Sequence, residues 1–201
     1  MIQNIIFDFG GVFVNLDTEA VPRGLRNYGL TAPGPDLISL SERYEKGELD
    51  SKTFLAWAQK AIPGSQADEI REIWNQTIAY FPLERLDFLS KLKESGRYRM
   101  FLLSNTNALH IEQVQENMGK DVFEKFRGCF EAFYLSHEIG MRKPDPEIFS
   151  FVLKTNALQP QNTLFIDDTQ EHIASASRLG IKTWHLAVEK ESILELDKYL
   201  Y

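Results

Sequence analysis

Four places in this 201-residue chain carry side chains able to do chemistry together: Asp8, Ser104-Asn105, Lys143 and Asp167-Asp168. Asp8 cuts off a short apolar run, Ile5-Ile6-Phe7, and Gly10-Gly11 follows two residues later. Ser104-Asn105 ends the run Phe101-Leu102-Leu103, and Asp167-Asp168 ends Leu164-Phe165-Ile166. Each residue alone has a plainer reading. Aspartate, serine and asparagine at strand ends make turns or cap the next helix, and a lysine in a loop is usually solvated. As a set they are one carboxylate able to act as a nucleophile, a hydroxyl–amide pair, a cation and an acidic pair. That set suits phosphoryl transfer to an aspartate. Asp8 would attack phosphorus, and a magnesium ion would bridge Asp8, the acidic pair and a phosphate oxygen. Ser104 and neighbouring amides would hold the remaining oxygens, and Lys143 would offset the repulsion between carboxylate and phosphate.

The elements that must position these residues can be read from the same pattern. The run before Asp8 is too short for a buried helix and too rich in β-branched and aromatic residues for a loop, so it reads as a central strand covered on both faces. From Thr18 to Phe81 there is helical patterning and no strand. Helices are expected over Val21 to Tyr28 ended by Gly29, from a cap at Asp36 to a stop at Gly47, from a cap at Ser51 to Pro63-Gly64, and from Ala67 towards Tyr80. From Leu83 helices alternate with apolar strands. Strands are expected at Tyr98–Leu103, Phe130–Leu135, Thr163–Ile166 and Ile181–His185, with a short apolar turn at Val122-Phe123 and a last amphipathic helix over residues 191–200. This is the pattern of an α/β fold with a doubly wound parallel sheet of about five strands. A core of residues 1–17 and 82–201 would carry a small helical cap, residues 18–81, inserted after the first strand. In such a sheet the carboxyl ends of all strands lie along one edge, so the four places can converge.

Composition narrows the function classes. Apolar residues make up 43% and charged residues 25%, as in soluble globular proteins. A net charge of −7 disfavours nucleic acid and anionic membrane surfaces as partners. The single cysteine, Cys129, excludes an intrachain disulfide or a thiolate zinc cluster. No window approaches the length of a membrane span. The chain enters a strand within four residues with no leader-like segment, so a cytoplasmic protein is expected, a monomer or small homo-oligomer acting on a small phosphorylated substrate.

The motifs resemble those of the haloacid dehalogenase-like (HAD) hydrolase superfamily, in order and across nearly the whole chain. They are Ile5-Ile6-Phe7-Asp8-Phe9-Gly10-Gly11-Val12, then Phe101-Leu102-Leu103-Ser104-Asn105, Lys143-Pro144 and Phe165-Ile166-Asp167-Asp168. Leu-Ser-Asn-Thr-Asn, Gly-Met-Arg-Lys-Pro and Ile-Asp-Asp are similar to the glucose-1-phosphate phosphatase-like branch. The Phe-Gly-Gly-Val opening also resembles the N-terminal phosphatase domain of bifunctional epoxide hydrolases. The resemblance implies a Rossmann-like core with a helical cap and a magnesium-dependent phosphatase working through an aspartyl-phosphate on Asp8. A sugar phosphate such as a hexose 1-phosphate is the substrate it suggests. It implies metal ligation by Asp8, the Gly10 carbonyl and Asp168, with Asp167 helping through water, and phosphate binding by Ser104, Asn105 and Lys143.

One position departs from the family pattern. The residue two after the nucleophile is an aspartate in family phosphatases and protonates the leaving oxygen; here it is Gly10. A good leaving group, such as an anomeric oxygen, or proton delivery by water or by Glu45 or Glu48 of the cap, would compensate. The alternative is a slow or non-catalytic phospho-ligand-binding regulator. A 2-haloacid dehalogenase is disfavoured, because those relatives carry an aromatic residue where Gly10 stands. Receiver domains use similar residues in another order. Asp8-Phe9-Gly10 spells the magnesium tripeptide of protein kinases, but seven preceding residues leave no room for a nucleotide lobe. The four histidines, His110, His137, His172 and His185, lack metal-ligand spacing and read as structural.

Overall fold

In a computed structural model, which describes residues 1–200, alternate side chains of the three central strands face opposite apolar layers. These strands are β1 (Asn4–Phe7), β2 (Arg99–Ser104) and β4 (Thr163–Asp167). Ile5, Phe7, Met100, Leu102, Leu164 and Ile166 join one cluster with Phe13, Phe126 and Phe130. Ile6, Phe101, Leu103 and Phe165 join the other with Ile148, Phe149 and Val152. Burial on both faces explains why the strands read as unbroken apolar runs rather than alternating ones. With β3 (Ala132–Leu135) and β5 (Lys182–His185) they form one parallel sheet in the order β3-β2-β1-β4-β5. Phe7 pairs with Leu102 on one side and Ile166 on the other, so Asp8, Ser104 and Asp167 emerge at neighbouring points of one edge.

Between β1 and the helix α5 (Leu83–Glu94) lie α1 (Ala20–Leu25), α2 (Pro35–Glu45), α3 (Ser51–Ala61) and α4 (Ala67–Asn75). Their apolar faces enclose a third cluster around Tyr44 and Phe54, whose rings stack at 4.3 Å, and Leu109 is the one buried member from the rest of the chain. The two segments that join this insertion to the sheet pair with each other. Asn15 N–H donates to Tyr80 O at 2.9 Å, Ala79 N–H to Asn15 O at 3.0 Å and Asp17 N–H to Thr77 O at 2.9 Å. A short antiparallel ribbon is therefore the neck of the insertion.

The remaining helices pack on the sheet: α6 (Ala108–Met118), α7 (Lys120–Arg127), α8 (Ser136–Ile139), α9 (Pro146–Thr155) and α10 (Gln170–Arg178). Several local expectations need correction. α2 starts at Pro35 with Gly34 as its cap, so Asp36 lies inside the first turn, where it complements the helix dipole. The cap of α3 is Asp50, which accepts from Thr53 N–H at 2.7 Å, and not Ser51, whose hydroxyl meets Tyr44. The turn expected at Val122-Phe123 is the helix α7, held by burying Phe123 and Phe126 in the aromatic cluster. The C-terminal helix is a 3₁₀ segment, Ile193–Tyr199, whose Tyr199 stacks on Trp184 at 4.0 Å.

Candidate active site

The strand edge brings all four sequence-predicted places together. Asp8, one residue beyond β1, is tied to β4 by its N–H, which donates to Ile166 O at 2.9 Å. Lys143 reaches the edge from the loop between α8 and α9 and is fully buried. Its ammonium sits 2.8 Å from Asp8 Oδ1, 2.6 Å from Asp167 Oδ2 and 2.9 Å from Leu103 O, so all three of its protons have acceptors. The Lys143 backbone is fixed by Asn105, whose amide donates to Lys143 O and whose oxygen accepts from Lys143 N–H, both at 2.8 Å. Asn105 therefore uses its side chain to hold the lysine loop. Ser104 Oγ has only a 3.4 Å contact to Asn105 O and faces the cavity.

The acidic pair divides its tasks. Asp167 is fully buried, and every oxygen is engaged: Oδ1 accepts from Thr169 N–H at 2.8 Å, Oδ2 from Lys143, and His172 Nδ1 lies 3.0 Å from both. Asp168 is freer, with one 3.4 Å contact from Thr169 Oγ1 to Oδ1. Gly11 explains how the loop after Asp8 approaches it. Its φ is +70°, and a Cβ there would lie 2.3 Å from Asp168 Oδ2, so only glycine fits.

Electrostatics follow from crowding three carboxylates around one lysine. Burial, and then the charge of Asp167, raise the Asp8 pKa to about 8, against the pull of Lys143. Burial also opposes ionisation of Asp167, but Lys143 and His172 more than offset it and hold Asp167 down at about 2. Burial and Asp167 raise Asp168. Lys143 stays protonated, because Asp167 and Asp8 outweigh its own desolvation. The three carboxylates can offer oxygens within 4.8 Å of one another. A set of hard oxygen donors with surplus negative charge fits a cation such as magnesium.

Beside this edge lies a cavity of ≈ 170 Å³, lined by Gly10, Ser104, Asn105 and His110 from the core side and by Glu45 and Leu16 among others. A larger cavity, ≈ 550 Å³, lies between α4 and α6 and contains none of the strand-edge residues, so size alone does not locate the chemistry. The insertion is seated on the core by charge and backbone contact. Arg142 meets Glu45 at 3.0 Å and Glu42 at 3.3 Å, and Lys46 meets Asp145 at 3.2 Å. Gly47, with φ +69°, approaches so closely that a Cβ would lie 2.1 Å from His137 O.

The sequence does not show what four of these residues hold, although His110 and His172 are structural as expected. His172 buttresses Asp167 from the first turn of α10; its position five residues after Asp167 was the available signal. His110 links the two parts through Trp74 O at 3.1 Å. Arg142 and Gly47 are contacts across the seam, which no local pattern announces. Glu45 and Glu48, considered together from sequence, separate here: Glu45 lines the cavity, whereas Glu48 pairs with Arg43 on the surface at 3.0 Å.

Comparison with known proteins agrees with this arrangement. The family model for haloacid dehalogenase-like hydrolases matches residues 2–180. The D-ribitol-5-phosphate phosphatase of Bacteroides thetaiotaomicron is 29% identical over 190 residues, which cover 92% of this chain and 91% of that protein. A sesquiterpene phosphatase of Aspergillus oryzae is 28% identical over 199 residues, covering 95% and 93%. A HAD family enzyme from Bacteroides thetaiotaomicron superposes with a TM-score of 0.85 at 31% identity over 98% of each chain. Its complex with magnesium and inorganic phosphate gives 0.81 at 31% identity, over 95% of this chain and 97% of that one. With the motifs on one sheet edge and the match spanning most of its length, the chain belongs to the haloacid dehalogenase-like hydrolases.

Proposed function

We propose that the chain is a magnesium-dependent phosphomonoester hydrolase acting on a small phosphorylated sugar or polyol, with the helical insertion, residues 18–81, as its cap. The observation that carries this reading is Asp8, a buried carboxylate held against Lys143 and part of an all-oxygen site for a cation. Asp8, Asp168 and the Gly10 carbonyl would hold the ion, with Asp167, its oxygens already taken by the protein, acting through water. Bound there, magnesium supplies positive charge that offsets repulsion between carboxylate and phosphate. Asp8 attacks phosphorus and becomes an aspartyl-phosphate, which water then hydrolyses. Lys143 holds the Asp8 carboxylate in place and balances charge at the reacting centre. Ser104, with backbone amides around Asn105, binds phosphate oxygens.

The named relatives that are similar over most of this chain's length include a ribitol-5-phosphate phosphatase, which supports a polyol or sugar phosphate. The cavity supports the same class: ≈ 170 Å³ is below the roughly 300–1,000 Å³ of pockets for drug-sized ligands. Among the described residues no helix is long and apolar enough to cross a membrane, which is compatible with the cytoplasmic setting we infer. The test is phosphate release from a panel of sugar, polyol and nucleoside phosphates with and without magnesium. Wild type should act only with the metal and best on small substrates, and Asp8→Asn should be inactive. Turnover surviving in Asp8→Asn would sink the mechanism. Saturable phosphate-ester binding by wild type with no turnover over hours would favour the regulator reading that Gly10 raises.

A further inference from the structure

We propose that Glu45, at the end of α2, is the catalytic acid that protonates the leaving oxygen, so that the cap delivers what position 10 lacks. This rests on the phosphatase reading above. Three observations converge on it. First, Glu45 lines the same cavity as Gly10 and Ser104 and is the one carboxylate among its lining residues. Second, its carboxyl is oriented: Arg142 Nε and the adjoining guanidinium nitrogen both contact Oε2, at 3.1 and 3.0 Å, and Oε1 has no partner among the described residues. Third, the Leu16 side chain lies over position 10, where a Cβ on Gly10 would be 2.9 Å from Leu16 Cδ1, so an acid there would have to turn it aside.

The other groups in the cavity do not serve. His110 faces Asn107 Nδ2 at 3.3 Å with one ring nitrogen and Trp74 O at 3.1 Å with the other, and burial lowers its pKa to about 4. It is a neutral strut. The remaining polar liners, Ser104, Asn105, Thr77 and Thr106, are hydroxyls and an amide. The charges that face Glu45 are Arg142, Glu42 and His172. Burial raises its pKa more than Arg142 lowers it, so the protonated form a donor needs is favoured over that of an ordinary glutamate.

The step balances. Asp8 attacks phosphorus, and the bond from phosphorus to the leaving oxygen breaks with its electron pair staying on that oxygen. The proton on Glu45 Oε1 passes to the same oxygen, giving a neutral alcohol and a glutamate anion beside Arg142. When water attacks the aspartyl-phosphate, Glu45 takes a proton from it and Asp8 leaves as a carboxylate.

The experiment compares leaving groups. Single-turnover release, with enzyme in excess and magnesium present, is measured for p-nitrophenyl phosphate, whose leaving group needs no proton. It is measured also for the alkyl phosphate that wild type hydrolyses fastest. In Glu45→Gln the alkyl reaction should slow about 10²- to 10⁴-fold while the aryl reaction stays within about threefold. Adding Leu16→Ala and Gly10→Asp to Glu45→Gln should restore at least about tenfold of the alkyl rate. If Glu45→Gln folds poorly, Glu45→Asp replaces it and should show the same selective loss, smaller in size. Equal slowing of both substrates, or of neither, overturns the assignment and leaves the phosphatase reading standing. Wild-type action on the aryl ester alone also overturns it. Wild type inert towards both removes the phosphatase reading and Glu45 with it.

Discussion

The sheet edge and the seam with the insertion hold their charges in different ways. At the sheet edge, Lys143 is fully exhausted by three acceptors, all within elements locked by strand pairing. Arg142 and Glu45 meet across the seam, from positions 97 residues apart, with about a fifth of each side chain still exposed. A charge buried in the sheet is part of folding itself, because removing one partner strands the others in low dielectric. A charge on the seam exists as a pair only while the cap is seated. The charges on the sheet edge are thus fixed by strand pairing, and those on the seam by how the insertion is seated.

Lys143→Met should break the comparison most strongly. It leaves Asp8 without its cation and Asp167 with only Thr169 and His172, and losses of about 3–5 kcal/mol are usual when one member of a buried ion pair is removed. Urea unfolding measures the loss, and an Asp8→Asn/Lys143→Met double variant should recover part of it. A second effect, at most of similar size, is the pH dependence of the protein in chelator. Folded Asp8 keeps a proton up to about pH 8 that the unfolded chain releases near pH 4, so its contribution to stability declines as pH rises between those values. The slope is at most about 1.4 kcal/mol per pH unit for one proton. Asp167 acts in the opposite sense, and its contribution is lost as pH falls from about 4 towards 2. Thermal unfolding from pH 5 to 8 should show a steeper decline in wild type than in Asp8→Asn, where the raised Asp168 and Glu45 remain. The smallest stability effect is expected from Arg142→Ala on the seam: below about 1 kcal/mol, as for partly exposed pairs. It should still lower kcat/KM by freeing Glu45. A stability loss for Arg142→Ala matching that of Lys143→Met would erase the distinction between edge and seam.

Legibility in the sequence follows the same division. Asp8, Ser104, Lys143 and Asp167-Asp168 were readable because doubly covered strands leave unbroken apolar runs, and a polar residue ending such a run is conspicuous. Parallel topology then places the ends together without any knowledge of side-chain contacts. The seam left no such trace. Arg142 pairs with residues about 100 positions earlier, and Gly47 looked like an ordinary helix stop until its approach to His137 O was visible. α7 is easily taken for a turn because it is only eight residues long between Gly119 and Gly128, although Val122, Phe123 and Phe126 lie at helical spacing. Docking Phe123 and Phe126 decides its state, and that is a tertiary effect. The caps at Asp50 and Ser51 differ by one residue, within the usual uncertainty of helix ends.

The strand order has a consequence for how the molecule is made. β1 is the first strand synthesised, yet it lies in the middle of the sheet, between β2 and β4. One of its edges is covered only when residues near 100 have emerged, and the other only when those near 165 have. At about 5–20 residues per second, Asp8 precedes Asp167 by about 8–30 seconds. Throughout that interval this apolar strand has an open edge, and until Lys143 emerges the carboxylate at its end has no cation beside it. A charge at the strand's end opposes edge-to-edge pairing with other nascent chains. The carboxylate proposed to react therefore serves first as a guard on its own strand.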